Sequence, residues 1–119
     1  MYKVKRIYEP PDPSDGFRIL VDRLWPRGMS KESARLDEWM KEVAPSTELR
    51  KWFHRGHSDW EEFKRRYLEE LLGKGELLER LRAYSAEGVV TLLYAVRDEK
   101  HNHAILLKEY LENRLSRDP

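Results

Sequence analysis

The chain contains no cysteine, and this absence excludes several kinds of chemistry at once. Disulfide bonds, thiolate nucleophiles and zinc sites built from thiolates all require cysteine. Long apolar runs are also missing, because no stretch approaches the roughly 20 residues that span a bilayer. The first residues lack the apolar stretch of a signal peptide. These absences predict a cytoplasmic protein that does not enter a membrane and whose chemistry does not use a thiol.

The chain also has no excess of positive or negative charge. The 23 lysines and arginines nearly balance the 22 aspartates and glutamates, which gives a net charge of +1. Such a chain has no overall field to draw it to nucleic acids or acidic membranes. Charged residues make up 38% of the chain, which predicts a heavily solvated surface. Its 119 residues suit one domain, residues 1–119, with one hydrophobic core.

Three segments have the pattern of β-strands. Residues 2–8 alternate between apolar and basic side chains, which is typical of a half-buried strand near a sheet edge. Residues 17–21 and 89–96 are apolar almost throughout, as expected for strands covered on both faces. Residues 30–44 are ambiguous. Their apolar side chains recur at helical spacing and favour a helix, but the part from Trp39 to Val43 also suits a strand.

Helical patterns separate these strands. Ser46 is suited to cap a short helix with Leu49, Trp52 and Phe53 on its inner face. The segment Ser-Asp-Trp-Glu at residues 58–61 has the form of a capping box that opens a longer helix. Two further helices are predicted after residues 75 and 102. Strands that alternate with helices predict an α/β fold: a small single domain with a short, largely parallel sheet of three to four strands, packed by helices.

A first polar cluster follows the strand at residues 17–21. It consists of Asp22, Arg23, Trp25, Arg27 and Gly28. Arginine offers a fork of donors that matches phosphate or carboxylate oxygens, and glycine lets a ligand approach the backbone closely. The alternative is structural: the charged residues pair at the surface, the tryptophan packs in the core and the glycine only turns the chain.

A second polar cluster follows the strand at residues 89–96 and contains Arg97, His101, Asn102 and His103. The asparagine suits the N-cap of the last helix, whose free amides favour an anion. A histidine at this place can exchange a proton near neutral pH. The alternative is that Asn102 simply caps the helix while one histidine packs against an aromatic side chain and the other faces water.

The two clusters predict one shared pocket, because the carboxyl ends of parallel strands lie at the same edge of a sheet. We expect it to hold a phosphate- or carboxylate-bearing small molecule or nucleotide. The predicted ligand-binding residues are Arg23, Trp25, Arg27, Gly28, Arg97 and Asn102. If the protein is an enzyme, His103 or His101 is the acid–base group and Asp22 its partner. The sequence does not decide between catalysis and binding alone.

Two other kinds of function are less favoured by the sequence. A nucleic-acid interface would use the basic residues at 50–55 and 64–66, but glutamates lie among them and the neighbouring aromatic side chains occupy the inner face of the helix. The histidine pairs His54/His57 and His101/His103 match no specific metal motif, so neither a metal nor a cofactor is predicted. A partner-binding domain without chemistry, of undetermined oligomeric state, stays open.

Four segments resemble the YeaO-like proteins, family number 488 of the domains of unknown function. They span residues 17–28 (FRILVDRLWPRG), 44–53 (APSTELRKWF), 63–67 (FKRRY) and 90–95 (VTLLYA), the last followed by Asn102-His103-Ala104. The resemblance covers nearly the whole chain but implies no known activity. It implies that residues 36–43 form a strand. Larger relatives have cysteine-rich sequence after the last strand, so thiol chemistry does not transfer to this chain.

Overall fold

Four parallel strands form a single sheet in a computed structural model, which describes residues 1–56 and 59–113. The strands are β1 (Tyr2–Arg6), β2 (Phe17–Leu20), β3 (Glu38–Trp39) and β4 (Val90–Tyr94), in the spatial order β1-β4-β2-β3. The helices are α1 (Lys31–Ala34), α2 (Thr47–His54), α3 (Trp60–Leu72), α4 (Gly75–Glu87) and α5 (His103–Leu111). The predicted α/β class with a short, parallel, four-stranded sheet is confirmed.

The two apolar segments form the central strands, as their composition predicts. Ile19 and Leu20 of β2 and Leu92 and Leu93 of β4 are fully buried, because each strand has a covered surface on both faces. The register pairs Ile19 with Leu92 and Leu20 with Leu93. Strand β1 lies at one edge of the sheet, as expected from its alternating pattern. The central pair therefore forms the rigid base on which the polar segments after Leu20 and Tyr94 are carried.

The two faces of the sheet are covered differently. On one face, Ile19 and Leu92 belong to the main core with buried side chains of α2, α3, α4 and α5. On the other face, Leu20 and Leu93 belong to a small cluster that is covered by α1 and by the loop that contains Trp25. No helix among the described residues is both long and apolar enough to cross a membrane.

The helix favoured for residues 30–44 is wrong, and the strand alternative is correct only where it includes Glu38–Trp39. The segment contains the one-turn helix α1, strand β3 and a 3-10 turn at Lys41–Val43. Helix α1 ends because Arg35 has a left-handed backbone, with a φ of 47°. The Asp37 carboxylate then accepts a hydrogen bond from the Arg18 amide at 2.7 Å, and the Asp37 amide donates to the Arg18 carbonyl at 2.8 Å. Pairing with β2 thus overrides the helical spacing of the apolar side chains.

Side chains cap three of the four longer helices, α2, α3 and α5, at their starts. The Ser46 hydroxyl accepts from the Leu49 amide, and the Asn102 carbonyl accepts from the Ile105 amide, both as predicted. The capping box was predicted from residue 58, which lies outside the described residues. Helix α3 is capped by Asp59, whose carboxylate accepts from the Glu62 amide at 3.1 Å.

A buried charge network fixes the second face of the sheet. The Asp15 carboxylate accepts hydrogen bonds from Lys5 Nζ at 3.0 Å and from Arg18 Nη1 at 2.5 Å. The Arg18 guanidinium also donates to the carbonyls of Ala34 and Arg35. Burial opposes ionisation of Asp15, but these donors and the Asp12 amide outweigh it and hold the pKa of Asp15 below its ordinary value. The network joins β1, β2 and the end of α1.

We expect Asp15→Asn to lower the free energy of unfolding at pH 7 by about 3–5 kcal/mol, because the variant leaves the buried Arg18 charge uncompensated. Asp12→Asn is the control, since asparagine also caps the following turn. The lowered pKa makes Asp15 stabilising above about pH 4 and removes that contribution as the pH falls through its folded-state pKa. Urea unfolding should therefore show a large difference from wild type at pH 7 and a smaller one at pH 3. An equal difference at both values would contradict this account.

We expect Gly16→Ala to destabilise the protein more than Gly28→Ala. Both glycines have a positive φ, of 63° and 77° respectively, so alanine costs about 1–2 kcal/mol at either position. A Cβ atom on Gly16 would also lie 2.3 Å from the Val89 carbonyl oxygen, whereas one on Gly28 meets no atom within 4 Å. This overlap should add about 1–3 kcal/mol. Thermal unfolding midpoints of the two variants test the difference.

Candidate functional site

A cavity of about 290 Å³ lies at the carboxyl ends of β2 and β4. Its lining residues are Asp22, Arg23, Leu24, Ala44, Pro45, Arg50, Phe53, His54, Trp60, Phe63, Val96, Asp98, His101, Asn102 and His103. Members of both sequence clusters contribute to it, because the segments that follow the two parallel strands leave the sheet at the same edge. Helices α2 and α3 supply the opposite wall.

Asp22 and His103 meet at the base of the cavity. Their side chains are 14% and 12% exposed, and His103 Nε2 lies 3.1 Å from Asp22 Oδ1. The backbone holds both groups: Asp22 Oδ2 accepts from the Ala95 amide at 2.9 Å, and His103 Nε2 lies 2.8 Å from the Val21 carbonyl oxygen. Since a carbonyl oxygen only accepts, Nε2 carries the ring proton. The other ring nitrogen, Nδ1, has no hydrogen-bond partner within the described chain.

The turn before α5 forms one side of the cavity. The Asp98 carboxylate accepts from the amides of Lys100 and His101, both at 2.9 Å, and these bonds hold the pKa of Asp98 below its ordinary value. Asn102 is buried, and its side-chain amide donates to the Asp98 carbonyl while its oxygen caps α5. Asn102 therefore lines the cavity while it holds the turn and the start of α5. Its two polar atoms are both used by the backbone.

Aromatic rings form the wall that faces these polar groups. Phe53 of α2 and Phe63 of α3 have ring centroids 4.6 Å apart, and Trp60 stacks on Phe63 at 5.4 Å. The His101 ring, which is itself exposed, lies 5.0 Å from Trp60. Leu24 and Val96 add exposed apolar surface to the lining. One side of the cavity is thus suited to hold a flat or apolar group.

Arg50 is the group that the predicted site omitted. It lies on α2, one turn after the Ser46 cap, and its half-buried side chain lines the cavity. Its buried Nε makes no hydrogen bond, and no residue in 1–56 or 59–113 pairs with its guanidinium group. The helical spacing of Arg50, Phe53 and His54 already placed them on one face, and this spacing was the signal that could have identified Arg50.

Arg23 lines the cavity but is used by the backbone. Its guanidinium donates to the Pro45 carbonyl at 3.1 Å and to the Ala44 carbonyl at 3.2 Å, and it lies 3.7 Å from a Glu42 carboxylate oxygen. The Lys74 ammonium donates to the same Ala44 carbonyl at 2.8 Å, and burial lowers its pKa. These bonds make Arg23 a support for the turn that leads into α2.

Four predicted ligand-binding residues lie outside the cavity lining. The Trp25 indole donates to the Met29 carbonyl at 2.6 Å and packs on the opposite face of the sheet. Arg27 and Arg97 are exposed, and Gly28 lies in an exposed turn. The structural alternative for Trp25 and Gly28 accounts for what these residues do in the fold. The structure therefore brings together Asp22, Arg23, His101, Asn102 and His103, and leaves the other four residues apart from them.

No metal site is evident in the described part of the chain, and the basic run on α3 is paired with carboxylates of the same helix. No group of three or more metal-ligating side chains converges among the described residues, and His57 lies outside them. On α3, the Glu62 carboxylate binds both Arg65 and Arg66, which lowers the pKa of Glu62 to about 2. Lys64 pairs with Glu61 at 3.1 Å. The basic run on α3 is therefore largely neutralised by carboxylates of its own helix.

Comparison with known proteins places the whole chain in one family. The model of a family described as the inactive DUF488-N3 subclade matches residues 1–119. The chain is 47% identical over 109 residues to the uncharacterized protein YeaO of Escherichia coli K12, covering 92% of this chain and 95% of that protein. It is 45% identical over 112 residues to the uncharacterized protein Rv3073c of Mycobacterium tuberculosis H37Rv, covering 94% of each. No solved structure matches at a significant level. As its motifs predicted, the chain belongs to the YeaO-like DUF488 proteins, in the subclade described as inactive.

Proposed function

We propose that the cavity at the carboxyl ends of β2 and β4 binds a small anion that carries a flat ring, and that it does so without converting it chemically. A nucleotide or an aromatic carboxylate has these features. The observation that carries the proposal is Arg50, a half-buried cation on the cavity wall whose guanidinium pairs with no residue in the described chain. The buried Nε of this guanidinium has lost water without gaining a partner in the described chain, which is costly, so an arginine in this state suits an anionic ligand.

The rest of the lining supports a ligand with two unlike ends. Phe53, Trp60 and Phe63 offer aromatic surface on which a ring can stack. His103 Nδ1 and the first amides of α5 add donors at the polar end, provided that the imidazole is protonated. A volume of about 290 Å³ is at the small end of the range for ligand pockets, which favours a molecule no larger than a mononucleotide.

One observation favours binding over turnover: the family match is to a subclade described as inactive. In the Asp22–His103 pair, Nε2 of the histidine is bonded to the Val21 carbonyl and Asp22 Oδ2 is bonded to the Ala95 amide. Asp22 Oδ1 lies 3.1 Å from the same Nε2 without a hydrogen bond. The pair thus holds the ring through Nε2 and leaves Nδ1 to face a ligand.

We expect Arg50→Met to weaken binding of the anion by roughly tenfold to a hundredfold, because a hydrogen bond to a charged group contributes about 1.5–3 kcal/mol. Lys51→Met is the matched control: it removes the same charge from the same helix, but Lys51 is exposed and does not line the cavity. Isothermal titration with adenosine 5′-monophosphate and with benzoate provides the measurement. If the two substitutions weaken binding equally, Arg50 contributes only through its charge and does not contact the ligand.

We expect the ring and the anionic group to contribute together. Adenosine 5′-monophosphate should bind more tightly than either adenosine or inorganic phosphate, because each of these engages only one end of the cavity. Binding of the ring should also change the fluorescence of Trp60, which Trp60→Phe would abolish while leaving an aromatic wall. If inorganic phosphate binds as tightly as the nucleotide, the aromatic wall does not contact the ligand. If no compound of this panel binds at millimolar concentration, the proposal fails.

A further inference from the structure

Helix α2 carries Arg50 and is anchored by one buried side chain and by two aromatic side chains at the edge of the core. Leu49 is its only buried residue, while Trp52 and Phe53 are partly exposed. A helix of eight residues has little stability of its own and depends on contacts with the rest of the fold. The orientation of Arg50 in the cavity therefore depends strongly on how the start of α2 is held.

Glu70 of α3 holds that start through two hydrogen bonds. The Ser46 amide donates to Glu70 Oε1 at 2.8 Å, and the Ser46 hydroxyl donates to Oε2 at 2.6 Å. The same hydroxyl accepts from the Leu49 amide at 3.1 Å, and the Ser46 carbonyl accepts from the Arg50 amide at 2.9 Å. A chain of hydrogen bonds thus runs from a carboxylate on α3 to the backbone of Arg50.

Three other side chains bond to residues 43–45, which precede Ser46 in the chain. Tyr67 donates to the Val43 carbonyl at 2.7 Å, and Arg23 and Lys74 donate to carbonyls of Ala44 and Pro45. Each of these is a donor to a carbonyl of the turn. Within the described residues, Glu70 is the one side chain that accepts from Ser46, the N-cap residue of α2.

We propose that Glu70 is a positioning residue for the binding site, which sets the direction of α2 and thereby the place of the Arg50 guanidinium. This inference deepens the proposed function, since Arg50 is the group that binds the anion there. Two charge-assisted hydrogen bonds to one residue fix both distance and direction, which a single bond or an apolar contact does not. Glu70 itself does not line the cavity, so its effect on binding passes through Ser46 and α2.

The test compares Glu70→Gln and Glu70→Ala with Glu69→Gln. Glu69 is the adjacent carboxylate on α3, is 52% exposed and pairs with Arg65, so its substitution controls for a lost charge on the same helix. Amide hydrogen exchange of Leu49 and Arg50, followed by nuclear magnetic resonance, reports on the start of α2 without any ligand. We expect about tenfold faster exchange in Glu70→Ala, a smaller change in Glu70→Gln and none in Glu69→Gln. The Arg50 Nε–H resonance should shift in the same order.

Binding of adenosine 5′-monophosphate to the same variants separates this inference from the proposed function. If the wild type binds, Glu70→Ala should weaken binding by about tenfold while Glu69→Gln does not. If the wild type does not bind but exchange at Leu49 still depends on Glu70, the positioning role stands and the proposed function does not. Identical exchange in the Glu70 and Glu69 variants would overturn the inference. Should Glu70→Ala fail to fold, Glu70→Gln and Ser46→Ala decide the same question, because each removes part of the bond pattern only.

Discussion

The parallel pairing of β2 with β4 is the constraint on which the rest of the molecule depends. Both strands are buried on both faces, so their direction and register are fixed by packing on two sides. Because the two strands are parallel neighbours, both end at the same edge of the sheet. Polar residues follow each strand there. The bond between the Asp22 carboxylate and the Ala95 amide continues this pairing beyond the last strand residues. The cavity lies where it does because the sheet leaves no other place for these segments.

Most polar side chains at this edge of the sheet bond to backbone groups. These bonds distinguish the side chains that stabilise the fold from those that are available to a ligand. The chain ends its regular pairing here, so carbonyl and amide groups that would otherwise lie unpaired need side-chain partners. Arg23 binds two carbonyls, Asn102 caps a helix, and the Trp39 indole donates to the Asp22 carbonyl at 2.7 Å. Arg50 is different, because it points at the same cavity and binds none of these groups. In the proposed function this difference makes Arg50, rather than Arg23, the cation that meets the ligand.

The sequence was sufficient to predict the features that depend on local pattern. Apolar runs identified the central strands, and alternation identified the edge strand. Serine and asparagine before apolar helical stretches identified the caps at Ser46 and Asn102. Local pattern did not predict residues 30–44 correctly. The strand in this segment forms only because it pairs with Arg18 and its neighbours in β2. Tertiary hydrogen bonds of this kind leave no periodic trace in the chain.

The site was predictable in position but not in the roles of its residues. Topology alone brought Asp22 and His103 to one edge, and the structure has them 3.1 Å apart. Residue type could not show which of the many arginines is used by the backbone: Arg23 was included and Arg50 omitted, although both carry the same fork of donors. That distinction depends on the partners around each guanidinium, which only the fold supplies.

The state of His103 connects this fold to the choice between binding and catalysis. The Val21 carbonyl requires a proton on Nε2, so any proton exchanged with a ligand must pass through Nδ1. The Asp22 carboxylate lies beside Nε2, on the same side of the ring as the Val21 carbonyl, so Nδ1 is the nitrogen left to face a ligand. A protonated Nδ1 can hold an anion together with Arg50, and this use requires no turnover. The proposed binding function would thus explain together the histidine held through Nε2, the Arg50 side chain that bonds to none of the described residues and the match to an inactive subclade.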